Sequence, residues 1–168
     1  MRHPAFFVIF SLLLSVWTTA QDSKIGYFTT TYKVAIQGYD LVAYFKENKA
    51  VRGTDLFGAR YDNTNFFFSS AENRDAFLQD PQRYLPQFGG WCAYGMGVRE
   101  ETHGYPPGKY NVNPEAFKII DGKLYLFFDG PFKDQRFNAL EEWNKDEENL
   151  KKHAEAHWQE INKVEPDP

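Results

Sequence analysis

The sequence predicts a single compact α+β domain with two β-hairpins, several short helices and a long C-terminal helix. Three observations lead there. Asp121-Gly122 stands between the apolar runs Phe117-Lys118-Ile119-Ile120 and Lys123-Leu124-Tyr125-Leu126-Phe127. Asp-Gly in that setting is a strong short-range hairpin signal, because both turn positions take positive φ. From Leu140 onward the pattern turns helical, with Trp143, Leu150, Ala154, Trp158 and Ile161 near one face and Glu and Lys on the others. Between these regions lie cap signals for short helices, at Ser69 with Glu72, at Asp80-Pro81 and at Asn113-Pro114.

Taken in order, the first twenty residues stand apart. A basic start (Met1-Arg2-His3) leads into an apolar run over residues 6–16 and a small-residue exit at Thr18-Thr19-Ala20. Those are the three parts of a secretory signal peptide. The apolar run is too short to cross a bilayer, which takes about 20 apolar residues, so no stable membrane anchor is expected. Residues 21–33, polar and rich in Thr, read as an extended lead-in. The domain is placed at 34–163, and 164–168 read as a frayed tail. Its first element spans 34–45, with Gly38-Tyr39-Asp40 as a turn. Residues 46–55 read as a loop. Aromatic runs on either side of Asp62-Asn63-Thr64-Asn65 form the first hairpin. The Ser69/Glu72 capping box opens a helix to about Leu78, and a second helix carries Tyr84 and Leu85. Gly89-Gly90 breaks the chain before Trp91-Cys92-Ala93-Tyr94-Gly95-Met96, and residues 97–112 form a long surface loop.

Composition narrows the function. The chain carries 19 Lys and Arg against 23 Asp and Glu, a net charge of −4. Nucleic-acid affinity comes largely from basic side chains on phosphates, so DNA and RNA are not expected partners. The one cysteine excludes an internal disulfide. Packing must hold the domain, and with 16 Phe and 10 Tyr the aromatic rings are the material for it. The expected location is extracytoplasmic, meaning secreted, or periplasmic in a bacterium, and the protein is expected to be a monomer.

Several strings together resemble the small exported proteins of the YHS-domain family. They are Ala35-Ile36-Gln37-Gly38-Tyr39-Asp40 with Val42-Ala43-Tyr44-Phe45, then Phe68-Ser69-Ser70-Ala71-Glu72-Asn73-Arg74-Asp75-Ala76-Phe77. Asp80-Pro81 follows, then Tyr84-Leu85-Pro86-Gln87-Phe88-Gly89-Gly90-Trp91-Cys92-Ala93-Tyr94 and Asp121-Gly122-Lys123-Leu124-Tyr125-Leu126. The likeness covers roughly residues 34–160. It implies a small module related to those of heavy-metal trafficking, whose metal-associated members carry a Cys-Gly-Met motif and a Phe-Cys-Ser-x-x-Cys motif. Here the first place reads Asp40-Leu41-Val42-Ala43-Tyr44 and the second Phe68-Ser69-Ser70-Ala71-Glu72-Asn73, both without cysteine. The resemblance therefore implies the fold without the usual metal site.

Candidate chemistry rests on few residues. Cys92 and Met96 are two soft sulfurs four apart, which a helical turn would place on one face, and such ligands suit Cu(I). His103, in the Gly- and Pro-rich loop, is the third candidate ligand. The cofactor would be copper or zinc. Cys92 itself reads first as a small buried hydrophobe, with Met96 as a core filler. His153 and His157, four apart on the C-terminal helix, form a weaker metal clip with two of the four positions a tetrahedral site needs. Tyr39, Tyr44, Tyr94, Tyr105, Tyr110 and Trp91 suggest either core or the wall of a pocket for a flat ligand. No nucleophile elbow, phosphate-cradling glycine loop or His-Glu-x-x-His is present. The leading expectation is a non-catalytic exported binding module taking a soft metal ion. The alternatives are an interaction or structural domain with an extracytoplasmic protein partner and Cys92 in the core, and a thiol-dependent enzyme using Cys92 with His103.

Overall fold

The computed structural model of the protein describes residues 26–161 apart from Thr31. The expected signal peptide and tail lie outside the described residues, as does the first part of the lead-in. From Gly26 the lead-in is stitched into the domain. Tyr27 is buried, the Phe28 amide donates to the Gly89 carbonyl at 2.9 Å, and Thr29 bridges Ala35. The aromatic pair Tyr27-Phe28 explains this docking, because two adjacent rings on an extended strand reach opposite sides and both find apolar partners.

A 3-10 turn at Ile36–Gly38 leads into helix α1, Leu41–Glu47. Asp40 is its N-cap, accepting from the Val42 and Ala43 amides, so the expected turn opens a helix. Strands β1 (Thr54–Tyr61) and β2 (Thr64–Phe68) form the first hairpin. Its two turn residues, Asp62 and Asn63, both have positive φ, the geometry that matches strand twist. Helix α2 spans Ala71–Gln79, and its N-cap is Ser70 rather than Ser69. The Ser69 hydroxyl is occupied elsewhere, donating to Asp40 Oδ2 at 2.6 Å. Pro81 starts α3, Pro81–Tyr84, as expected of a proline in the first turn.

Helix α4 is Ala93–Gly97, with Cys92 at its N-cap. The stretch expected as a loop contains a short helix α5, Glu100–His103, closed by Gly104 in the left-handed region. Asn113-Pro114 does not open a helical turn. It begins strand β3 (Asn113–Ile120), where an irregularity between Asn113 and Phe117 absorbs the proline before pairing with β4 (Lys123–Phe127) resumes. The Asp121-Gly122 hairpin is therefore present. A third hairpin, β5 (Asp129–Phe132) with β6 (Gln135–Asn138), was not among the two expected. Asn138 then caps α6 (Ala139–Trp143), and α7 (Glu147–Ile161) closes the described chain.

Two aromatic clusters hold these pieces. Phe66, Phe68 and Phe77 pack β2 onto α2, with ring centroids 5.0 and 5.1 Å apart. Trp143, fully buried, lies against Tyr125 and Phe127 of β4. Its indole N–H donates to Glu147 at 3.1 Å, so the buried ring keeps its polar group satisfied. The Tyr44 hydroxyl donates to the Pro114 carbonyl at 2.8 Å, tying α1 to β3.

Candidate functional site

Cys92 sits where three features meet: the Gly89-Gly90 break, the start of α4 and the end of β4. Its Sγ accepts from the Gly95 amide at 3.5 Å, closing the N-terminal turn of α4, and from the Phe128 amide at 3.3 Å. The Cys92 amide donates to the Tyr110 carbonyl at 3.0 Å, bringing the Gly- and Pro-rich loop alongside. Cys92 is only 2% exposed. Burial pushes its thiol up, while the backbone amides around Sγ pull the other way. A neutral thiol is a poor nucleophile. Iodoacetamide at pH 8 is expected to react with Cys92 about 100-fold more slowly in the native protein than in the unfolded chain; equal rates would show an open, ionised thiol.

A cavity of about 380 Å³ opens above this sulfur. Tyr94, Tyr105, Tyr110, Phe128, Phe132 and Phe137 give it an aromatic lining that Ala139 and Asn111 complete, and the Tyr94 and Phe137 rings touch, with centroids 5.7 Å apart. The third hairpin supplies Phe132 and Phe137, so the element not expected from the sequence contributes two of the six aromatic rings. Tyr110 donates its hydroxyl to the Pro106 carbonyl at 2.8 Å. Burial, and then the neighbouring Tyr94 hydroxyl, push the Tyr105 hydroxyl well above the ordinary phenol range. Gly95 is required at this wall. A Cβ there would lie 2.4 Å from the Tyr110 ring, so only glycine lets the loop ring close over α4.

The candidate metal ligands divide. Cys92 lines the cavity, whereas Met96 is fully buried in the core and His103 stands behind the wall, its ring 5.9 Å from that of Tyr94. His103 Nδ1 faces the Arg99 amide at 3.1 Å and the Thr102 hydroxyl at 2.7 Å. The structure thus does not bring the three to one cavity. His153 and His157 are both partly exposed on α7, and His157 lies 3.9 Å from Glu160. Among the described residues, no group of three His, Cys, Asp or Glu side chains could hold a metal ion. Of the rings weighed as pocket walls, Tyr94, Tyr105 and Tyr110 serve. Tyr44 is core, Tyr39 lies under the Arg52 guanidinium at 4.5 Å, and Trp91 is pinned by its N–H to the Gly26 carbonyl at 2.7 Å.

No family model, curated protein or solved structure matches the chain.

The two strings without cysteine meet in space. Asp40, fully buried, accepts at Oδ1 from the Val42 and Ala43 amides at 2.8 and 3.2 Å. At Oδ2 it accepts from the Ser69 amide at 2.8 Å, the Ser69 hydroxyl at 2.6 Å and Asn73 Nδ2 at 2.8 Å. Ser69 and Asn73 stand at the two cysteine positions of the Phe-Cys-Ser-x-x-Cys pattern. Lys46 donates to the other end of the Asn73 amide at 3.0 Å. Every strong acceptor direction of the carboxylate is used by protein donors, so the node holds α1 to α2 and has no coordination to offer a metal. Missed by sequence reasoning were Phe128, Phe132, Phe137 and Asn111. The visible signal was the Phe-rich run around Gly130-Pro131 and Lys133-Asp134, a hairpin pattern with an unremarkable turn.

Proposed function

We propose that the protein is an exported, non-catalytic binding module of YHS-like type that holds a small apolar molecule in the cavity above Cys92. One observation carries this reading: a cavity of about 380 Å³ walled by six aromatic side chains, which is within the size range of small-molecule sites and has their mainly apolar lining. Export rests on the signal-peptide pattern of residues 1–20. Among the described residues no helix is long and apolar enough to cross a membrane. The non-catalytic part rests on Cys92. Burial holds its thiol protonated, and His103 Nδ1 is turned to Arg99 and Thr102 rather than to the sulfur.

A soft metal ion at Cys92, copper or zinc, is the second reading. It is favoured by the two amides that point at Sγ and would stabilise a thiolate. One preparation separates the two, namely protein purified without chelators, analysed for metal and titrated with naphthalene by NMR. Saturable shifts of the Ala139 methyl and the Gly95 and Phe128 amides in metal-free protein are the expected result. No shift at those groups would sink the apolar-ligand reading. Stoichiometric copper or zinc that disappears on Cys92→Ser would establish the metal instead.

A further inference from the structure

The cavity's polar groups define its ligand more narrowly than its size does. None of the lining side chains is charged. Transferring an ionised group into such surroundings costs far more than its apolar contacts return. The Gly95 and Phe128 amides are committed to Cys92 Sγ, and the Tyr110 hydroxyl is committed to the Pro106 carbonyl. Asn111 lines the cavity and is exposed, and its carboxamide makes no hydrogen bond to another of the described residues. It is a neutral group that can both donate and accept. The cavity is therefore mainly apolar and has an uncharged polar contact at Asn111.

Building on the apolar-ligand reading, we infer that the site takes an uncharged planar aromatic compound, on the order of ten to twenty non-hydrogen atoms in size. Its rings pack against the tyrosine and phenylalanine rings of the lining, and a single amide, carbonyl or hydroxyl group faces Asn111. The aromatic lining favours a flat partner, because offset-stacked and edge-to-face contacts reward an aromatic surface against these rings. The volume suits a small molecule and not a folded peptide segment.

Three probes of one shape test this: naphthalene, 2-naphthamide and 2-naphthoate, titrated at pH 8 into the full chain and into Asn111→Ala. The amide is expected to bind at least about tenfold more tightly than the ionised carboxylate. Asn111→Ala is expected to weaken the amide by about fivefold, the size of one net hydrogen bond, and to leave naphthalene unchanged. Because Asn111 is exposed, the variant keeps the fold. Equal or tighter binding of 2-naphthoate would overturn the neutral-ligand inference while naphthalene binding still upheld the cavity as a site. An equal loss for the amide and for naphthalene would overturn the role of Asn111. If none of the three binds, both the inference and the reading beneath it fall.

Discussion

Asp40→Ala is expected to destabilise the protein by about 4 kcal/mol, the order found when one partner of a buried charged network is removed. Five donors converge on this carboxylate: three backbone amides, the Ser69 hydroxyl and the Asn73 carboxamide. Water cannot replace the lost acceptor without opening the junction between α1 and α2. The loss also removes the N-cap of α1, which alone is worth about 1 kcal/mol. In a domain whose total stability is about 5–15 kcal/mol, such a change is a large fraction of the whole. Urea unfolding followed by tryptophan fluorescence measures it. Asp40→Asn is expected to recover little, because its amide nitrogen must face a donor. Should Asp40→Ala not fold, Ser69→Ala still tests the node, with an expected loss of about 1 kcal/mol. A loss below about 1 kcal/mol for Asp40→Ala would show that the node carries little of the fold's stability.

Gly97→Ala is the second large effect, at about 3 kcal/mol. A Cβ at Gly97 would lie 2.4 Å from the Leu150 carbonyl oxygen and 3.0 Å from its carbonyl carbon. Backbone cannot move aside as a flexible side chain can, so α4 must back away from α7, and overpacking of this kind costs about 1–3 kcal/mol. The displacement would also reach function, because α4 carries Tyr94 and begins at Cys92. Naphthalene affinity should therefore fall together with stability. Gly108→Ala is the control. Its Cβ would meet nothing closer than 3.7 Å, at the Tyr110 ring, and its cost should stay within about 0.5 kcal/mol. If both alanines cost the same, close approach of α4 to α7 is not what Gly97 provides.

The contrast between these two glycines shows where sequence reading stops. Both stand in Gly-rich stretches after Trp91, and nothing local distinguishes them. What separates them is Leu150, far along the chain from both, whose backbone crosses Gly97 and not Gly108. The cysteine has the same history. As a residue type it suggested burial first and soft-metal chemistry second. The fold turned its sulfur toward the Phe128 amide, put Met96 in the core and stood His103 behind Tyr94.

What the sequence determined by itself is whatever depends on neighbours in the chain. The Asp121-Gly122 hairpin, the hairpin around Asp62 and Asn63, the proline start of α3 and the amphipathic C-terminal helix follow from local φ preferences and spacing, and all four are present. The α+β class follows from them. Tertiary structure decided the rest. Ser70 took the cap because Asp40 claimed Ser69, Asn113-Pro114 entered a strand because β4 offered a partner, and the β5–β6 hairpin formed without a strong turn signal. The cavity draws on residues from 92 to 139, on α4, the loop after it, the end of β4 and the third hairpin. Its existence depends on how those elements pack, and packing between distant segments leaves no periodic mark on a single sequence.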